Sequence, residues 1–300
     1  VLTLPGERSV FELNAELERK LAAGRRAYWE KTSKYRALGE VCRLAGIRLP
    51  EQLPEPEVAS AGKVERAGCT IEKLTIRPEP GIVLPALLFR PAGEAGAESE
   101  LYLYLHGEGK AADAGGGGPI EELVRAGHLV LAVDLRGIGE TRPAGNEKRY
   151  DAWFSPLWRD IFRAYLLGKS FVGMRAEDTL VCGRYLAERY MGAVPRRLHL
   201  IAIGEAAVPA LHAAAVHPRL FASVKLDRCL TTWTDVVRSP LSRNQLINVV
   251  HGALKTYDLS DLMDTLPADK VDLTNPLDAL GEPLKFEEPA ETEPESRQEG

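Results

Sequence analysis

Apolar residues recur at helical spacing from Ser9 to about Ile47: Leu13, Leu17 and Leu21 line one face, and Leu38, Val41, Cys42 and Leu44 mark a second helix. The run "RLPEQLPEPEVASAG" ends that pattern and reads as a proline-spaced linker. After it the period changes. "CTIEKLTI" and "GIVLPALLF" are strand-like runs joined by the turn "RPEPG". Further on, short apolar strands ("LYLYLHG", "HLVLAVDL", "LHLIAI", "FASVKLD", "KVDLTNP") alternate with helical stretches ("PIEELVRAG", "MRAEDTLVCGRYLAERY", "EAAVPALHAAAVHP"). Such alternation predicts a mostly parallel sheet with helices on both faces.

Composition narrows the function classes. The chain of 300 residues is 45% hydrophobic, enough for a substantial core. Its formal charge of −5 resides in the tail: residues 286–300 hold six glutamates and one arginine, so residues 1–285 sum to zero. A neutral body without a basic stripe gives no footprint for nucleic acid, and the acidic tail reads as a disordered end. Cys42, Cys69, Cys182 and Cys229 lie far apart without metal-ligand spacing. They read as buried thiols, with no metal site and no cofactor expected. No stretch approaches the roughly 18 apolar residues of a membrane span. The chain starts at Val1 without methionine or signal peptide, as a processed chain or a piece of a longer one would.

Parallel sheets place chemistry at the carboxyl ends of their strands. The first such end carries His106-Gly107-Glu108-Gly109, a turn able to aim backbone N–H groups at an oxyanion, or simply a tight turn. The second carries Asp134-Leu135-Arg136-Gly137-Ile138-Gly139-Glu140-Thr141. Its G-x-G is no dinucleotide fingerprint, because Arg142 holds the final glycine position; "GEGK" and the glycines at 115–118 likewise lack phosphate-loop spacing.

H-G-x-G after one strand, D-x-R-G-x-G after the next, a helix carrying "GMRAEDTLVCGRYL" and then an elbow-like strand resemble the α/β-hydrolases, in particular the acetyl-xylan-esterase-like group. "GIVLPALLFRPAG", "LLGKSFVGMRAEDTL" and "HGALKTYDLSDL" carry a narrower resemblance, over roughly residues 63–285, to the second hydrolase-like domain of large bacterial tandem proteins. The resemblance implies an α/β-hydrolase fold, a sheet that can lack its last strand, preceded by a helical segment and linker over 1–62. It also implies a carbohydrate-ester ancestry, a neighbouring esterase domain or subunit as partner, and a carbohydrate ligand.

In that family the nucleophile stands in G-x-S-x-G at a strand-to-helix turn, followed along the chain by an acid and a histidine. Matching the first glycine to Gly204 in "IGEAAVPAL" places Ala206 at the nucleophile position and Val208 at the closing glycine. A one-residue shift would put Glu205 there, imitating carboxylate nucleophiles. Asp278, in "NPLDALG", follows the strand that supplies the acid, and no histidine follows it in the sequence; His251, the last, precedes it. His251 would have to fold back to act, and bonding to nearby backbone is the simpler reading. His199 and His212 read as packing residues. Losing the serine or the histidine of a working triad costs roughly a millionfold in turnover. The expected site is therefore a hydrolase elbow without its triad, and the competing reading is an enzyme built on Glu205, Asp278 and His251.

Overall fold

The computed structural model describes residues 6–93, 99–143, 154–190 and 196–284. Strands β1 (Glu57–Arg66), β2 (Cys69–Arg77) and β3 (Leu84–Pro91) pair antiparallel in succession. β3 then lies antiparallel to β5 (Leu129–Val133), beside which β4 (Leu101–His106), β6 (Leu198–Ile203), β7 (Ser223–Asp227) and β8 (Val271–Thr274) run parallel. The order across the sheet is β1-β2-β3-β5-β4-β6-β7-β8, and β8 is its edge among the described residues. The acidic run 286–300 lies outside the described residues.

The burial pattern explains the strand sequences. Every residue of β5 is buried, as expected of a parallel strand covered on both faces, and its sequence "LVLAV" has no polar position. On one face, Leu103, Leu131, Leu200 and Leu226 pack against helices α2 (Lys34–Ala45), α5 (Phe171–Tyr190) and α6 (Ala207–Val216). On the other, Tyr104, Val130 and Ala132 meet Ile120 and Val124 of α3 (Pro119–Arg125). Alanines 207, 210, 213, 214 and 215 are all fully buried, and their small side chains let α6 lie close on the sheet.

The linker expected over 48–62 is a linker only in part. A single 3-10 turn at Pro50–Gln52 precedes β1, so the boundary drawn at residue 62 falls inside a strand. β1 is exposed along almost its whole length and owes its form to pairing with β2, for which its own hydrophobic pattern gives no signal. The N-terminal helices are likewise part of the body. Ala37, Val41, Cys42 and Ala45 of α2 belong to the main core. α1 (Val10–Lys31) begins with a capping box between Ser9 and Glu12. Leu13 and Leu17, expected to line its packed face, are about half exposed (48% and 54%). The residues it buries are Glu18 and Arg25: Glu18 receives Arg238 Nη2 at 2.7 Å from α7 (Trp233–Arg238), and Arg25 donates to the Leu254 carbonyl at 2.9 Å.

His212 of α6 is a buried packing residue with both ring nitrogens engaged. Nδ1 donates to the Val208 carbonyl (2.8 Å) and Nε2 accepts from the Tyr257 hydroxyl (3.1 Å). Burial pushes its pKa down from 6.5 to about 4, against the pull of the Val208 carbonyl. The unfolded chain therefore binds this proton first as pH falls below about 6.5, and stability is lost with acidification down to about pH 4. Between about pH 7.5 and about pH 5 this residue should cost about 2 kcal/mol. Denaturant titrations at both pH values should show wild type losing that much more than His212→Gln. Equal losses would mean that the ring is not held neutral.

Candidate functional site

β6 ends at Ile203, and the chain turns into α6 through Gly204, Glu205 and Ala206. In a nucleophile elbow the strained residue at the tip presents its side chain above the sheet. Here the left-handed residue is Gly204, at φ +62°. Ala206, placed at the nucleophile position by the sequence motif, is already right-handed (φ −84°, ψ −13°) and fully buried in the main core. A side chain at 206 therefore lies in the main core, and the left-handed position that an elbow tip requires is two residues earlier, at Gly204. In this chain the first glycine of the motif occupies the left-handed position itself. The end of the apolar run at Ile203 was the available signal.

A Cβ added to Gly204 would meet nothing within 4 Å. The tip faces a cavity of about 290 Å3 whose lining includes Glu205, Arg228, Arg243, Gln245, Asn248 and Glu282. Glu205, the alternative nucleophile, pairs with Arg175 Nη1 at 2.8 Å and Arg142 Nη2 at 3.4 Å. Burial pulls the guanidinium of the fully buried Arg175 below the ordinary arginine range, against the attraction of Glu205. Arg175 Nε also donates to the Arg136 carbonyl at 2.8 Å, and Arg136 forks onto Asp178 of α5 (2.6 and 2.8 Å). Glu205 is thus the end of a buried charge network. Arg142, Arg175 and Arg228 are the site residues that the sequence reading did not single out. An arginine inside the otherwise buried run "GMRAEDTL" was a signal for one of them.

The turn after β4 does not present oxyanion donors. Gly107 N–H donates to the Ile203 carbonyl (2.9 Å), Glu108 N–H to His106 Nδ1 (3.0 Å), and Gly109 N–H to the His106 carbonyl (2.9 Å). Gly107 has a steric role: a Cβ there would lie 2.6 Å from the Glu205 nitrogen. The D-x-R-G-x-G stretch is structural too. Buried Asp134 accepts from Lys110 N–H (2.6 Å), Lys110 Nζ (2.8 Å) and Glu140 N–H (2.9 Å), joining the loops after β4 and β5.

Of the remaining candidates, Asp278 belongs to a turn whose Leu277, Leu280, Gly281 and Glu282 border the elbow cavity, and His251 lies in another cleft. Asp278 Oδ1 accepts from Leu280 N–H (2.8 Å) and Glu282 N–H (2.9 Å), closing its own turn. His251 Nε2 lies 3.2 Å from the hydroxyl of Tyr165 on α4 (Trp158–Leu166), in a separate cleft of about 500 Å3 with Ile161, Phe162, Phe171 and Leu246. Among the described residues no cluster of histidine, cysteine, aspartate or glutamate is arranged to hold a metal ion. All four cysteines are buried and free, and burial pushes the Cys229 thiol up to about 12. No helix among the described residues is long and apolar enough to cross a membrane.

No family model matches the chain, and no curated protein matches it. Solved structures do. One, described as a putative acetyl xylan esterase from Bacteroides fragilis, superposes with a TM-score of 0.66 at 15% identity, over 92% of this chain and 77% of that one. Acetyl xylan esterase 1 from Thermoanaerobacterium sp. matches at a TM-score of 0.48 and 16% identity, over 89% of this chain and 94% of that one. A methylesterase matches at 0.46 and 14% identity, over 88% and 62%. The chain has the α/β-hydrolase fold. More narrowly, its fold is the acetyl-xylan-esterase-like form.

Proposed function

We propose that this chain is a non-catalytic member of the acetyl-xylan-esterase-like hydrolases. It serves beside a true esterase domain or subunit through interface, stability or carbohydrate binding. The observation that carries this reading is the elbow: its left-handed tip is Gly204, which has no side chain to act as nucleophile. The competing reading needs Glu205, Asp278 and His251 to act together. Glu205 is held by two arginines, Asp278 caps a turn, and His251 lies against Tyr165 in another cleft.

The chain is expected to release acetate from small aryl acetates no faster than a buffer control, and to form no adduct with serine-directed phosphonates. Gly204→Ser tests the elbow directly, because the tip has open space for a hydroxyl. Serine at φ +62° should cost about 1–2 kcal/mol, so the variant folds. A serine hydroxyl is not ionised at neutral pH and needs an oriented base, so the variant stays inactive. Ala206→Ser also stays inactive, its hydroxyl buried in the core. Strong esterase activity in Gly204→Ser that His251→Ala abolishes would overturn the proposal, as would phosphonate labelling of the wild type.

A further inference from the structure

The helix α3 covers its face of the sheet over β4 and β5, but not over the parallel strands beyond. On that face Ile201, Ser223 and Asp227 are half-buried and Lys225 is exposed, whereas parallel strands are ordinarily covered on both sides. The result is a groove of about 670 Å3 between α3 and β7, lined by polar groups and by apolar ones such as Leu123, Ala126, Ile201 and Ile203, and distinct from the cavity at the elbow.

At its inner end two donors meet without an acceptor. The His106 side chain is only 8% exposed, and its Nδ1 accepts the Glu108 N–H at 3.0 Å. A neutral imidazole that accepts at Nδ1 carries its proton on Nε2. That Nε2–H faces Arg228 Nη2, also a donor, at 3.2 Å. Asp113 Oδ2 is 3.9 Å away, too far to accept, and already takes the Tyr104 hydroxyl at 2.6 Å. Arg228 is 44% exposed and its Nε lies 3.4 Å from Asp227 Oδ2, so His106 is the buried donor of the two. Buried donors are almost always paired, so the Nε2–H of His106 leaves a place for an acceptor that Arg228 Nη2 can share. Arg228 is held there by a left-handed backbone (φ +53°) directly after β7. Strain of that kind in a non-glycine residue gathers at ligand clamps.

The rest of the groove selects the ligand class. Acceptors Asp113, Glu122 and Asp227 alternate with the donors Lys225, Arg228 and Asn275. Asn275 and Thr274 already donate to Asp227 (2.7 and 2.8 Å), but an anion would still meet three carboxylates, and an apolar ligand would leave the His106 donor without an acceptor. Hydroxyls both donate and accept, so a neutral polyol satisfies both sets. Resting on the carbohydrate-binding part of the proposed function, we infer that this groove is a subsite for a neutral saccharide. The Arg228 and His106 donors hold one of its oxygens.

Calorimetric titration of the full chain with xylotetraose and with cellotetraose tests this. At least one should bind. Arg228→Met should weaken that binding roughly tenfold or more, as expected for a lost charged hydrogen bond. Arg228 borders both cavities, so two further variants separate them. Asn275→Leu, in the groove alone, should weaken binding severalfold, and Arg243→Ala, in the elbow cavity alone, should leave it unchanged. Each variant's melting temperature is measured first, and a variant that does not fold is replaced by His106→Phe. Failure of both sugars to bind overturns the inference. So does loss of binding in Arg243→Ala with retention in Asn275→Leu, and so does tighter binding of tetragalacturonate than of the neutral sugars. Acetate release from acetylated xylan is read separately, so an active chain would refute the non-catalytic reading without touching the groove.

Discussion

Gly173→Ala should lower stability by about 3 kcal/mol or more, a melting-temperature loss of roughly 5 °C or more. The sign is the informative part. Glycine to alanine inside a helix ordinarily stabilises by about 1 kcal/mol, because alanine has the better helix propensity. Gly173 lies in the first turn of α5, where that helix meets the end of α2. A Cβ there would sit 1.9 Å from the Ala45 carbonyl oxygen and 2.8 Å from its carbon. Both are backbone atoms, so no rotamer change relieves the overlap, and the helices must separate. Separation would also break the bridge in which Ser170 Oγ donates to the Ala45 carbonyl (2.7 Å) while accepting Gly173 N–H (2.9 Å). Thermal and denaturant unfolding of the purified variant measure the effect. A Gly173→Ala chain as stable as wild type would mean that α2 and α5 are not in this contact.

Asp178→Ala should be similarly costly, at about 3–5 kcal/mol. Asp178 is fully buried, and its carboxylate receives Nε and Nη2 of Arg136 at 2.8 and 2.6 Å. Removing it leaves a guanidinium that is 12% exposed with only Glu79, at 3.2 Å, for a partner. A buried charge left with one of its two carboxylates is the source of the cost, and the ion pair itself adds little net stability. The double variant Asp178→Leu, Arg136→Met should therefore recover most of the loss. A double-mutant cycle by denaturant unfolding distinguishes the two statements. A loss below about 1 kcal/mol in Asp178→Ala, or no recovery in the double variant, would refute the account.

Much of the site was legible in the sequence as a place and little of it as an arrangement. "LHLIAIGEAA" identifies the elbow, because an apolar strand running into small residues is a local pattern. The tip residue within it was not legible. A motif counts letters, whereas the tip is defined by a backbone dihedral, and here the left-handed residue is the glycine that the motif takes as its start. The H-G-x-G turn was found for the same local reason. Its N–H groups turned out to be engaged by Ile203 and by His106 itself, which no spacing rule encodes.

The sequence by itself determined the order and type of the main strands and helices, and with them the fold class. Those follow from periodicity, and periodicity is read within a few turns of chain. Tertiary structure alone decided which polar groups meet. Glu205 is locked by Arg175 from a helix that precedes its strand, and Arg25 reaches the Leu254 carbonyl across 229 residues of sequence. It decided too that β1 is a strand, through pairing with β2, and that α1 buries Glu18 and Arg25 while Leu13 and Leu17 face outward. In each case the deciding energy belongs to a partner distant in sequence: a salt bridge, a strand edge or a packed face that exists only once the sheet has assembled.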